Sequence, residues 1–245
     1  MDALLPLLQA MTYADSAYPS GRYTLSHGLE GLVQAHRVSG ADQVTAVLLD
    51  HLRYTAAPGD GVATAVAAVL AANRSDLDTL LTLDHELAAT KVTHELRRAS
   101  TRVGRQMLQV TTDVEIRLGI RQSAAVRAYA AAVAGKETPG NQAVVAGLIH
   151  SSHGLTAEQA VATELTGLAV GWAGAALRLR QCDHIGAQVT ITAAHPVIAE
   201  LSRQCVDMAD DLLKSGNWQL LGRASPGSDL ASAAHETAPA RLFMS

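Results

Sequence analysis

Cysteine is scarce in this chain: Cys182 and Cys205 are the only two among 245 residues. Two cannot build a disulfide framework, and no CxxC spacing points to zinc or redox chemistry. Both are expected to pack as small apolar side chains in a reducing compartment. Charge is scarce as well. Only 17% of residues are charged, and 19 Lys and Arg against 23 Asp and Glu give 19 − 23 = −4. With no basic stripe, an electrostatically driven nucleic-acid binder is excluded, and so is an acidic disordered tail protein. The start, Met1-Asp2-Ala3-Leu4-Leu5-Pro6, has neither the basic region nor the small-residue cleavage site of a signal peptide, so a cytoplasmic location is expected. The most apolar stretch, Leu165 to Leu179, is shorter than the roughly 20 residues needed to span a bilayer, and arginines close it. It reads as a buried helix of a soluble protein, with no membrane partner.

Aromatics amount to 3%, and β-branched residues rarely alternate at period 2, whereas alanine alone accounts for 45 residues. This composition favours helix throughout. Ile198, Leu201, Cys205, Met208 and Leu212 recur at steps of 3 and 4 and form one core-facing stripe. Thr156 and Gln159 form a capping box, and Thr138-Pro139 places proline where a helix begins. The spacing predicts helices over 3–12, 26–37, 41–56, 60–73, 76–89, 92–110, 122–134, 139–150, 157–181, 185–193 and 196–215. Connections are short and no Pro/Gly/Ser-rich linker divides the chain. The expectation is an all-α, single-domain bundle of about ten helices over residues 1–221, with a docking tail at 222–245.

Two segments break the helical pattern. Ala14 to Thr24 carries Pro19, Ser20 and Gly21, which force a turn. Gly222 to Ser245 carries Pro226, Gly227 and Pro239, yet ends in Leu242-Phe243 with the only phenylalanine. An apolar pair closing a polar tail is explained by docking, on this domain or on another protein.

Chemistry-bearing constellations are few. His85-Glu86 and His94-Glu95 pair a ligand with a carboxylate but lack the HExxH spacing, while His150 and His153 share a helical face without an assignable third ligand. A histidine-based metal protein or enzyme is therefore the minor reading, and no metal or catalytic residue is assigned. His195-Pro196 is read as a helix opening at the surface. No nucleophile elbow, phosphate loop or dinucleotide fingerprint occurs. Gly167, Gly171 and Gly174 lie at helical spacing and are expected to let a neighbouring helix approach. Arg98, Arg102 and Arg105 share one face, either solvated or a docking surface for an acidic partner.

One resemblance covers nearly the whole chain. The stretch Ala14-Asp15-Ser16-Ala17-Tyr18-Pro19-Ser20-Gly21-Arg22-Tyr23-Thr24-Leu25-Ser26-His27-Gly28-Leu29-Glu30, after a leucine-rich helix, resembles the opening of the urease accessory protein F (UreF) family. Two further blocks agree in order: Leu83-Asp84 with Leu87, Glu95 to Ser100 and Gly104-Arg105, and the terminal Asp229 to Ser232, His235-Glu236, Arg241-Leu242-Phe243 and Ser245. Where the family tail usually carries arginine, glutamine and arginine, this chain has Ala234, Ala238 and Met244.

The resemblance implies an all-α, non-catalytic accessory protein, commonly dimeric. Its implied partners are the accessory protein UreD (also UreH), the GTPase UreG and apo-urease, with nickel and GTP handled by those partners rather than bound here. It also implies two contact surfaces, one from Asp15, Ser16, Pro19, Gly21, Tyr23, Ser26, Gly28 and Glu30, the other from His235, Glu236, Arg241, Leu242 and Phe243. Arg22, where the family usually keeps a small residue, is the position from which an arginine finger would reach the GTPase.

Overall fold

The computed structural model describes residues 4–73, 76–222, 225–238 and 240–244. Met1 to Ala3, Pro239 and Ser245, which the terminal motifs include, lie outside the described residues. In chain order the helices are α1 (Leu4–Ala14), α2 (Leu29–Gln34), α3 (Ala41–His51), α4 (Val62–Ala72), α5 (Leu77–Thr90) and α6 (His94–Leu118). They continue with α7 (Ala124–Ala134), α8 (Gln142–Ser152), α9 (Ala157–Arg178), α10 (His184–Ser215) and α11 (Pro226–Glu236). No strand occurs among the described residues, and the chain is all-α as its composition required.

The architecture follows from α4. Every residue from Val62 to Ala68 is buried, because an apolar helix with no polar face must be enclosed on all sides. Helices α8, α9 and α10 enclose it, and α8 is itself buried from Ala143 to His150. Trp172, Tyr129, Leu48 and Leu148 complete this core. The stripe on α10 faces it, with Ile198, Leu201, Cys205 and Leu212 buried and Met208 packed at the edge. Burial pushes the Cys205 thiol up to about 12, and its Sγ lies 3.3 Å from the Ala57 carbonyl oxygen.

Two expected helix breaks do not exist. Residues 41–72 run as one rod, in which a π-helical stretch over Leu52–Gly61 carries the chain past Pro58. Proline has no N–H to donate, and the wider turn accommodates its ring. Likewise α10 passes through Pro196, so His195 lies inside a helix rather than opening one. Ala194, Val197 and Ile198 are buried on either side, and that packing outweighs the lost hydrogen bond.

A third boundary is shifted. Helix α8 starts at Gln142, not Pro139, because the carboxylate of Asp84 on α5 gathers the preceding loop. Fully buried, Asp84 accepts from the hydroxyls of Tyr129 (2.7 Å) and Thr138 (2.6 Å), the backbone N–H of Gly140 (2.7 Å) and Asn141 (3.0 Å), and Asn141 Nδ2 (2.8 Å). Neutral donors alone satisfy this charge, and they tie α5 to α7 and α8. The capping box at Thr156 and Gln159 is formed as expected.

Two stretches are long and apolar enough to cross a membrane, Ala41–Ala72 and Ala157–Arg178, and most of each is buried against the other helices. The segment read as a tail is also packed. Helix α11 lies on α2 and α6, and Phe243 is buried.

Candidate partner-binding site

The loop before α2 and the chain end, far apart in sequence, meet in one polar seam. A Cβ on Gly31 would stand 2.5 Å from the Ala231 carbonyl oxygen, so glycine is what allows α2 and α11 this approach. Beside it the buried Glu30 carboxylate accepts from the backbone N–H of Leu242 (2.7 Å) and Phe243 (2.9 Å) and from Gln34 Nε2 (3.2 Å). It also lies 2.8 Å from His235 Nε2, and the other ring nitrogen, Nδ1, lies 2.9 Å from Glu95 Oε2. One imidazole thus spans two carboxylates, one at each ring nitrogen. Arg241 Nη1 donates to Glu95 Oε1 at 3.3 Å, and Glu236 accepts from the Glu95 backbone N–H at 2.6 Å. Thr93 and Ser232 hydroxyls meet at 2.9 Å.

Over this seam lies an aromatic and sulfur layer. The Arg178 guanidinium sits 4.0 Å from the Tyr23 ring centre and 4.2 Å from that of Phe243, a contact that favours cation over ring face. Met244 N–H donates to the Thr24 carbonyl, and Arg102 reaches both the Thr24 hydroxyl (2.9 Å) and Met244 Sδ (2.8 Å). Outside, a groove of about 1270 Å³ runs between α6 and the chain end, walled by Arg98, Arg102, Arg105 and Arg241. Among the described residues, none of the first three has a carboxylate partner. Tyr23, Leu242 and Met244 are exposed nearby.

The residues singled out in sequence thus divide. Glu30, His235, Glu236, Arg241, Leu242 and Phe243 join the seam. Ser26 and Gly28 are buried beneath it, while Asp15, Ser16, Pro19 and Gly21 are exposed at the far end of α1. There Asp15 Oδ1 accepts from Ala17 N–H at 2.8 Å, which closes the turn. Of the stretch from Asp15 to Glu30, Asp15, Ser16, Pro19, Gly21 and Tyr23 are exposed, whereas Ser26, Gly28 and Glu30 are buried.

Arg22 is neither mobile nor exposed. Its Nη2 donates to Glu164 Oε2 at 2.5 Å, its side chain is 11% exposed, and it crosses Gly167, where any Cβ would collide with it. An arginine finger cannot be supplied from this position without breaking a buried ion pair. Gly167 makes room for Arg22 and also faces the Ala14 backbone of α1, Gly171 lies beside His27 of the loop, and Gly174 faces open space. Burial alone raises the Glu164 carboxyl, but the Arg22 guanidinium and the contacts from His150 and Gln142 outweigh it and hold it at about 2.

The histidines set apart for metal do not converge. His85 Nε2 lies 2.9 Å from the Glu137 carbonyl, His150 sits against Glu164, and His153 spans Glu115 (3.1 Å) and the Tyr13 hydroxyl (3.2 Å). Among the described residues no three His, Cys, Asp or Glu side chains are grouped to hold a metal ion. Missed in sequence were Arg178, whose partners are 155 and 65 positions away (178 − 23 and 243 − 178), and the bridging role of Glu95, which only its place in a motif singled out.

The UreF family model matches residues 38–195. The chain is 26% identical over 239 residues to urease accessory protein UreF 2 of Brucella abortus, covering 97% of this chain and 91% of that protein. It is 27% identical over 238 residues to urease accessory protein UreF of Nostoc sp., covering 97% and 95%. The corresponding protein of Yersinia enterocolitica is 24% identical over 238 residues, with 97% of each chain covered. An all-α bundle whose terminal motifs close on each other, matched over most of its length, belongs to the UreF family of urease accessory proteins.

Proposed function

We propose that this chain is a non-catalytic, cytoplasmic scaffold that bridges a UreD/UreH accessory protein and the GTPase UreG while nickel is inserted into apo-urease. Nickel and GTP are handled by those partners, and the scaffold acts as a homodimer that also restrains or stimulates the GTPase. The observation that carries this reading is the groove walled by Arg98, Arg102, Arg105 and Arg241. On a chain of net charge −4, Arg98, Arg102 and Arg105, which have no carboxylate partner among the described residues and gather beside exposed Tyr23, Leu242 and Met244, suit an acidic, partly apolar partner surface. A second apolar face supports a second partner. Leu4, Leu5, Leu7, Leu8 and Met11 of α1 are all exposed, whereas Tyr13 anchors the same helix to Thr111 and His153.

Co-expression with the UreD and UreG homologues of the same source, followed by size exclusion with mass determination, tests the reading. The scaffold predicts one co-eluting complex, with a partner lost from it when Arg98 and Arg102 are both changed to Glu. A chain that elutes alone beside soluble partners contradicts it.

A further inference from the structure

A cavity of about 160 Å³ lies where the loop before α2, the π-helical stretch and the middle of α9 meet. Four side-chain atoms buried at its wall have no hydrogen-bond partner: Arg22 Nε, His27 Nε2, His51 Nδ1 and Thr55 Oγ1. Folded proteins pair nearly all such atoms, so four around one space mark a place where partners are to be supplied. The backbone is irregular at the same spot. His27 takes a left-handed φ of +54, uncommon without glycine, and Thr55 lies in the π-helical stretch.

The chemistry of the wall selects the guest. Arg22 Nε can only donate, while the Thr55 hydroxyl and both imidazoles can donate as well. All four are therefore satisfied together by a guest rich in acceptors and not by one rich in donors. Of the three carboxylates at the wall, Glu164 is paired with Arg22 and Asp60 with Lys91, while Asp229 on α11 has no ion-pair partner among the described residues. Lys91 Nζ is bonded to both Asp60 oxygens at 2.8 and 2.9 Å, so that pair adds no net charge to the wall. The volume suits a molecule of a few heavy atoms, well below a drug-sized ligand.

We propose that this cavity is a binding site for a small oxyanion, of carboxylate or phosphate size, held by Arg22, Thr55, His27 and His51. This site is distinct from the arginine groove and stands whether or not the scaffold reading holds. Burial holds the empty-site imidazoles neutral, with His27 pushed down to about 3 and His51 to about 4, and an anion in contact raises both.

The test follows the imidazole NMR resonances of His27 and His51 in the full-length chain during titration with sodium acetate, sodium formate and inorganic phosphate, with ammonium chloride as control. The site predicts saturable shifts at both rings with at least one anion and none with the control. Thr55→Val, close to isosteric, and His51→Phe, which keeps a ring against Trp172, each weaken the dissociation constant about tenfold. Thermal melts of both variants check that they fold. Rings unmoved by all three anions indicate a cavity that holds water only and overturn the proposal. Equal shifts with ammonium chloride, or unchanged affinity in both folded variants, overturn it too.

Discussion

The core around α4 and the seam between the loop and the chain end are both buried, but they are held together by opposite means. In the core, apolar side chains from α1 to α10 share the burial, and no single directional contact defines the arrangement. In the seam, two carboxylates, one imidazole and a few backbone N–H groups carry nearly all of it. The comparison teaches that one molecule contains a body that loses stability gradually with volume and a closure that opens when one charge is removed. Asp84 is the informative intermediate, a seam-like carboxylate placed inside the body.

Asp84→Ala strips the acceptor from five donors at once and should cost about 4 kcal/mol or more in urea unfolding, since each buried unsatisfied group costs about 1–3 kcal/mol. A body that tolerates it would show that the core does not depend on this charge. Leu148→Ala, at a fully buried site on α8, should cost about 3 kcal/mol through lost transfer energy and a cavity. Thr156→Ala removes the capping box of α9 and should cost about 1 kcal/mol by the same measurement. Glu30→Gln should cost less than Leu148→Ala in global stability, yet free the chain end from α2.

Acid sharpens the comparison further. Unfolded His27 and His51 take up protons below about 6.5, while the folded ones stay neutral to about 3 and about 4. Their contribution to stability is therefore complete above pH 6.5 and declines as pH falls towards those values. Glu164, depressed from 4.5 to about 2, adds a further loss between those two pH values, where the unfolded carboxyl is protonated and the folded one is not. Urea midpoints measured from pH 7 down to pH 3 should fall throughout, and His51→Phe should flatten the upper part of that decline.

Much of the body was legible in the sequence because it is written in local signals: the stripe on α10, the capping box at Thr156, the apolar stretch from Leu165 that became α9. The errors fell where tertiary packing overrides a local signal, at Pro58 and Pro196 inside continuous helices and at the loop that Asp84 pulls off Pro139. The seam was legible as two separate motifs. That they close on each other was not, since Glu30 and His235 are joined over 205 positions and no spacing rule spans that distance. The cavity was invisible for the same reason: Arg22, His27, His51 and Thr55 acquire a shared meaning only when α9 brings them together.

Hydrogen exchange of the full-length chain against Glu30→Gln tests the central claim of a separable closure on a stable body most directly. The account predicts faster exchange confined to residues 22–34 and 226–244, with α4 and α8 unchanged. Exchange that accelerates equally in α4 and α8, or that changes nowhere, would contradict it.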